Sequence, residues 1–406
     1  MGTRPLPVSI DDVVEAAAVL SGAIRQTLLV QSRALSELVG GPVYLKCENL
    51  QRTGSFKVRG AYVRIARLTP AERARGVVAA SAGNHAQGVA LAAAELGARA
   101  TVVMPAGAPL PKIAATRSYG AHVVLHGASV EAALSRARQL ALEAGSVFIH
   151  PFEHPDVIAG QGTVGLEIAQ QCPQARTIVV PVGGGGLAAG IAVAAADRLP
   201  AARVIGVQAE AVAPFPGSLS AGYPVTVTAM ATMADGIAVA EPGDLTTAIL
   251  GGLGAKVVTV SEENLSRGLL LCLERAKQLV EPAGAAGVAA ILEHVAVFEP
   301  PVVVVLSGGN IDPLLLAKVL RHGLSAAGRY LAFRCRLPDR PGALANLLSE
   351  LADLGANVIE VLHERVTADL NVDEAEVMLQ VETRGPEHCD MVISQLRKTG
   401  YTLIFS

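Results

Sequence analysis

Four apolar stretches rich in β-branched residues, at 178–182, 204–209, 255–260 and 302–306, run without polar alternation. A strand with one wet face alternates apolar and polar residues, so runs of this kind suit strands buried on both faces. Stretches with helical spacing lie between them, which makes a parallel sheet with right-handed crossovers the economical architecture. The same rhythm appears earlier in the chain. Strands are predicted at 43–47, 77–80, 100–104 and 122–125, and helices over 58–68, 87–96, 114–119 and 130–144. Ser9 ahead of Ile10-Asp11-Asp12 reads as a capped start for a helix to about Leu20. The fold class is α/β.

Composition narrows the function classes. Hydrophobic residues make up 51% of the 406 positions and Trp is absent, so the cores must be built from Ala, Val, Leu and Ile. A chain this long implies two or three domains. The net charge is −3 with both signs interspersed, which argues against a nucleic-acid partner. No apolar run approaches the ~18 residues of a membrane span, and no cationic-then-apolar leader opens the chain. Met1-Gly2 does not complete a myristoylation signal, because Leu6 stands where Ser or Thr is needed. Cys47, Cys172, Cys272, Cys335 and Cys389 are scattered singly, as expected for reduced thiols in the cytoplasm rather than a disulfide framework or zinc site. His150 and His154 are four apart, but Pro151 and Pro155 break any helix that would align them, so no metal is expected.

Chemistry concentrates in a few loops. The chain has seven lysines against 26 arginines, and Lys57 sits in Thr53-Gly54-Ser55-Phe56-Lys57-Val58, where glycine-containing chain gives way to an amphipathic helix. Exposed N–H groups and the positive end of the helix dipole disfavour an ammonium there. A neutral amine is what Schiff-base chemistry requires. The run Pro181-Val182-Gly183-Gly184-Gly185-Gly186-Leu187 follows a strand and precedes a helix near Ala188, a geometry that offers backbone N–H groups to a phosphate. Gly183-x-Gly185-x-x-Ala188, with Glu210 at the end of the next strand, also satisfies a dinucleotide fingerprint. Four consecutive glycines and the upstream Ser-Phe-Lys favour a single small phosphate, although this segment alone leaves both open. The loop Ser81-Ala82-Gly83-Asn84-His85, between a strand and a helix, is a natural seat for a carboxylate.

Ser55-Phe56-Lys57, the 81–85 loop, the 183–187 loop and Ser307-Gly308-Gly309-Asn310 occur in this order across about residues 9–325. Together they resemble pyridoxal-phosphate enzymes of the tryptophan-synthase-β class (fold type II), and within it the threonine dehydratases. The resemblance implies a catalytic region over 1–328. In it, two parallel-sheet, three-layer subdomains flank pyridoxal 5'-phosphate, the smaller (about 48–148) inserted in the larger. It implies that Lys57 forms the Schiff base and removes the substrate Cα proton, with Ser81 beside it as a catalytic group. Residues Ser81, Ala82, Gly83, Asn84 and His85 would seat the substrate carboxylate. Asn84 would also bond the cofactor's phenolic oxygen. Gly183, Gly184, Gly185, Gly186 and Leu187 would hold the phosphate, and Ser307 would face the pyridine nitrogen. Phe56, Gly236 and Glu281 would lie near the ring. A hydroxyl at 307, in place of an aspartate, makes the ring a weaker electron sink and favours loss of a β leaving group.

The activity so implied converts L-threonine to 2-oxobutanoate and ammonia, and L-serine to pyruvate, in a homotetramer or homodimer. A monovalent cation held by backbone carbonyls would leave no side-chain signature. The competing enzymes of this fold are serine racemase and serine dehydratase. Racemases carry a second serine where this chain has Ala82, and of their metal site Glu210 matches while Pro216 stands in place of an aspartate. The non-enzymatic alternative is an amino-acid-sensing protein, against which the intact Lys57, Asn84 and Ser307 speak.

Composition shifts over 321–329, where Gly323, Ser325, Ala326, Ala327 and Gly328 suggest a linker. Beyond it, strands at 330–336, 357–363, 375–382 and 401–405 alternate with helices to about Leu354 and over 389–398, a βαββαβ order. With the turn Asp339-Arg340-Pro341-Gly342-Ala343-Leu344, residues 329–406 resemble an ACT domain, a module that binds amino acids at subunit interfaces. Asp339, Pro341, Gly342, Leu344 and Asn357 are the candidate regulatory residues, isoleucine the expected inhibitor and valine its antagonist. A purely structural dimerisation module is the alternative. The acidic stretch 369–376 reads as a solvated hairpin.

Overall fold

A computed structural model describes residues 6–365 and 371–405. It divides into two compact units, 1–316 and 317–406. Residues 366–370, which include the first two positions of the expected acidic hairpin (369–376), lie outside the described residues, and Glu374–Glu382 is a strand.

The strands of the first unit are β1 (Leu29–Gln31), β2 (Val43–Lys46), β3 (Val77–Ala80), β4 (Ala100–Met104), β5 (His122–Leu125), β6 (Val147–Phe148), β7 (Thr177–Pro181), β8 (Arg203–Ala209), β9 (Lys256–Val260) and β10 (Val302–Val305). One sheet runs β1-β2-β10-β7-β8-β9 and another β5-β4-β3-β6. Every pairing is parallel except β1 with β2. The second sheet is built from chain lying between β2 and β7. Every residue of β7 and β10 is buried, as their unbroken apolar runs require. The expectation of two buried faces fails for β9, an edge strand with its Lys256 end exposed.

Small residues bring three helices into backbone contact. A methyl at Gly160 would lie 2.7 Å from Gly60 Cα, and one at Gly190 only 2.3 Å from the Ile158 carbonyl oxygen. The helices Lys57–Ala66 and Gly186–Arg198 therefore both lie close against Pro155–Gln171, fixing where each begins. Beneath them is a buried charge cluster. Arg59 reaches Glu48 Oε1 at 2.7 Å and Glu167 Oε1 at 2.6 Å, and Lys46 reaches Glu167 Oε2 at 2.5 Å. The Lys46 amine also donates to the Thr27 carbonyl and Gln171 Oε1, both at 2.9 Å. Two cations against two carboxylates leave no net charge, and charge-assisted hydrogen bonds offset the desolvation.

Several predicted boundaries move. The helix expected at 58–68 begins on Lys57, the one at 87–96 on Asn84 and the one at 114–119 on Leu110. The helix expected near Ala188 begins at Gly186. The proposed linker is overturned more fully, because the helix Pro313–Ala326 runs through most of it. Val319 and Gly323 are buried on that helix, so its apolar face takes in the glycine itself. Gly328, at φ 63°, follows its end.

In the second unit, β11 (Tyr330–Pro338), β12 (Asn357–Glu364), β13 (Glu374–Glu382) and β14 (Leu403–Ile404) form an antiparallel sheet in the order β12-β13-β11-β14. Leu331, Phe333, Cys335 and Leu337 alternate inward along β11. They share a core with Leu347 and Leu351 of helix Ala343–Asp353 and Val392 and Leu396 of helix Pro386–Lys398. Gly342, at φ 90°, occupies the left-handed position before the first of these helices. Asp339 takes an ion pair from Arg365 at 3.2 Å, Leu344 packs on the core, and Asn357 donates to Glu382 at 3.4 Å. Among the described residues no helix is long and apolar enough to cross a membrane.

Candidate active site

Hydrogen bonds tie the loops singled out in the sequence to one another. Phe56 N donates to the Ser307 carbonyl at 3.2 Å, Gly309 N to the Gly54 carbonyl at 2.8 Å, and Ser55 bridges Gly308. The Asn310 amide donates to the Thr53 carbonyl at 2.7 Å and to Asn84 Oδ1 at 2.8 Å. Asn84 in turn donates to Glu281 Oε1 at 2.5 Å, and Glu281 N to the Gly308 carbonyl at 3.0 Å. A side chain at 308 is excluded, since a methyl there would sit 2.4 Å from Glu281 Oε1.

The glycine loop joins this group through a segment that no local pattern announced. Lys57 Nζ donates to the Pro151 carbonyl at 3.0 Å. The next residue, Phe152, fills the space a side chain on the loop would need: a methyl at Gly184 would lie 2.3 Å from its ring. Consecutive residues thus touch the amine and the loop. Glu153 accepts from Leu245 N at 2.6 Å, and Thr246 Oγ1 donates to the Gly184 carbonyl at 2.8 Å, holding the loop from behind. Gly185 takes φ 94° ahead of the helix Gly186–Arg198, whose N-terminus has no side-chain cap. That leaves N–H groups and the dipole's positive end for an anion.

Electrostatics distinguish the titratable groups. Burial pushes the Lys57 amine down to about 8, against the pull of Glu281. Burial, rather than the helix start invoked from sequence, is the leading cause. Glu281 is pushed up to about 7, again by burial, with Lys112 drawing it back. One of its oxygens, Oε2, has no hydrogen-bond partner, and neither has the buried hydroxyl of Ser55. His85 is driven down to about 3 by burial and the nearby Lys57, and its Nε2 lies 3.0 Å from the Ile149 carbonyl. As side chains, His150 and His154 serve turns: their Nδ1 atoms accept from Glu153 N at 2.8 Å and Asp156 N at 3.1 Å.

The remaining predicted residues fall around this cluster. Phe56 precedes Lys57, its ring centroid 5.1 Å from the amine. The Ser81 hydroxyl accepts from Gly83 N at 3.0 Å within its own loop, Ala82 is half-buried, and Asn84 and His85 open the helix Asn84–Glu95. Ser307, buried, follows β10. Gly236 lies in the turn Asp235–Ile237, where a methyl would be 3.0 Å from Ala283 Cβ and 3.7 Å from Glu281 Oε1. Gly183 is half-buried, and Leu187 is buried in the helix after the loop. Sequence reasoning passed over Pro151, Phe152, Glu153, Lys112, Asp235 and the side chain of Asn310. Only proximity in space marks them.

A family model described as pyridoxal-phosphate dependent enzyme matches residues 20–308. The chain belongs to that family. An L-threonine ammonia-lyase of Thermotoga maritima is 46% identical over 394 residues, 97% of this chain and 98% of its own. That alignment is too long to omit the C-terminal unit. Among solved structures, a T.th. threonine deaminase superposes with a TM-score of 0.71 at 43% identity, covering 75% of this chain and 99% of its own. A maize serine racemase does so with a TM-score of 0.73 at 34% identity, over 78% of this chain and 98% of its own. The cofactor of this pyridoxal-phosphate family member is therefore pyridoxal phosphate. The residues present fit it: a lysine amine of lowered basicity, an uncapped helix N-terminus behind four glycines, and an asparagine amide are linked by direct contacts.

Proposed function

We propose that this chain eliminates water from L-threonine, that the enamine so released takes up water as it loses ammonia to give 2-oxobutanoate, and that L-serine gives pyruvate in the same way. The observation that carries the reading is the junction at Pro151 and Phe152, one residue meeting the Lys57 amine and the next the glycine loop. That junction supports Lys57 as the attachment point and the 183–187 loop as the phosphate seat. When bound, pyridoxal phosphate supplies an aldehyde for the amine and a conjugated ring that delocalises charge from Cα. Lys57, with its pKa held near 8, is the base that takes the Cα proton. The N–H groups of Asn84 and His85 at their helix start receive the substrate carboxylate. Ser307 offers the ring nitrogen a neutral partner.

Ala82 carries no proton donor for the opposite face of Cα, which favours elimination over racemisation. Purified protein loaded with the cofactor should release equal amounts of ammonia and 2-oxobutanoate from L-threonine; absence of both ends this reading. Chiral chromatography after incubation with L-serine tests the racemase alternative, because appreciable D-serine contradicts the argument from Ala82.

The C-terminal unit is, in this proposal, an ACT-like amino-acid sensor through which isoleucine inhibits and valine opposes. Its βαββαβ order and the left-handed Gly342 turn support the assignment. Asp339, Pro341, Gly342, Leu344 and Asn357 are its candidate effector contacts. The working assembly is a cytoplasmic homotetramer or homodimer.

A further inference from the structure

One lysine beside the site is left unused by the mechanism above. Lys112 is buried on the helix Leu110–Ser118, yet its amine reaches Asp235 Oδ2 at 3.0 Å, in the turn Asp235–Ile237. The first helix belongs to chain between β4 and β5 of the smaller sheet, the turn to chain between β8 and β9 of the larger. The pair therefore bridges two parts of the unit that meet at the site. Its stem lies on the carboxylate loop, where a methyl at Gly83 would be 2.9 Å from Lys112 Cδ. Both arms are anchored. Thr116 Oγ1, buried one turn on, donates to the Lys112 carbonyl at 2.8 Å. Ahead of Asp235, Met233 N donates to Glu262 at 2.9 Å and Ala234 N to Thr232 at 3.1 Å.

Resting on the functional reading above, we propose that Lys112 and Asp235 are positioning residues. They form a clasp that holds the 81–85 loop against the Asp235–Ile237 turn and sets the affinity for the substrate carboxylate. The clasp also governs Glu281, beneath Gly236. The charged groups acting on that carboxyl are Lys112, Asp235 and Lys57, and Asn84 donates to it. Lys112 favours its ionised form and Asp235 opposes it. The two partners thus act alike on the clasp and oppositely on the carboxyl, a combination that mere structural support does not produce.

The test compares the holoenzyme with Lys112→Met, Asp235→Asn and the double variant. In each single variant, amide hydrogen exchange over 82–88 and 235–238 should quicken by about tenfold. The double variant should be no faster than either, as expected for coupled partners. The KM for L-threonine should rise more than kcat falls. The pKa of the Glu281 carboxyl, followed in the holoenzyme by infrared difference titration, should move up in Lys112→Met and down in Asp235→Asn. Wild-type exchange rates in both single variants, additive effects in the double, or a Glu281 pKa that stays put or moves the same way in both would overturn the proposal. If Lys112→Met does not fold, Lys112→Gln takes its place. Exchange needs no substrate, so a wild-type enzyme inert toward threonine would count against the functional reading and leave the clasp to be judged on its own.

Discussion

At Lys57 the depressed basicity comes from burial, and burial is something neighbours impose. Lys57→Ala should abolish both the visible absorbance of the bound cofactor and turnover; a variant keeping either would remove Lys57 from the chemistry. Glu281 gives a second, signed prediction. Its pKa of about 7 when folded, against an ordinary 4.5, means the folded chain binds more protons across that window. Stability from this group is fully present below pH 4.5 and is lost as pH rises through 7. Glu281→Gln should therefore match wild-type stability near pH 4.5 in the cofactor-free protein and exceed it increasingly toward pH 7, by at most about 3 kcal/mol. Thermal melts at successive pH values check this, and a stability difference that does not change with pH would refute it. The lysine and the acid were both legible as site candidates because motifs carried them. Their basicities were not, since desolvation depends on what packs around each group.

At the scale of elements, the glycine contacts between helices and the buried charges beneath them do separate jobs. The glycines let the helices Lys57–Ala66 and Gly186–Arg198 both meet Pro155–Gln171, which fixes the distance between the amine-bearing and glycine-loop ends. The Arg59 cluster joins β2, the Lys57–Ala66 helix and the Pro155–Gln171 helix. Arg59→Met would leave Glu48 without its buried partner and should cost about 3–5 kcal/mol. Urea unfolding measures it, and a loss under about 1 kcal/mol would refute the expected cost of leaving that charge unpaired. Strand positions were largely readable, because unbroken β-branched runs have few other uses. Helix starts were off by a few residues where glycine or proline at the beginning masked the periodicity, as at Asn84 and Leu110. The linker reading failed for a related reason: small residues at 323–327 look flexible in sequence, yet the apolar face behind them kept the helix going.

For the whole molecule, removing residues 330–406 should preserve threonine turnover and erase any response to isoleucine. A truncated enzyme still inhibited by isoleucine would show that the sensor lies in the first unit. The split into 1–316 and 317–406 falls within one helix, so a cut after it leaves that helix intact. By itself the sequence determined the alternation of strands and helices, the order of the four loops and the singling-out of Lys57, while Asn84 and Ser307 became candidates through the family resemblance that those loops carry. These depend on local pattern, on residue type and on spacing along the chain. Only the tertiary structure decided that Pro151 and Phe152 join the amine to the glycine loop, that burial sets the basicity of Lys57 and Glu281, and that Lys112 meets Asp235. Each of those is a relation between distant segments, and contact in space leaves no mark on the spacing of either one.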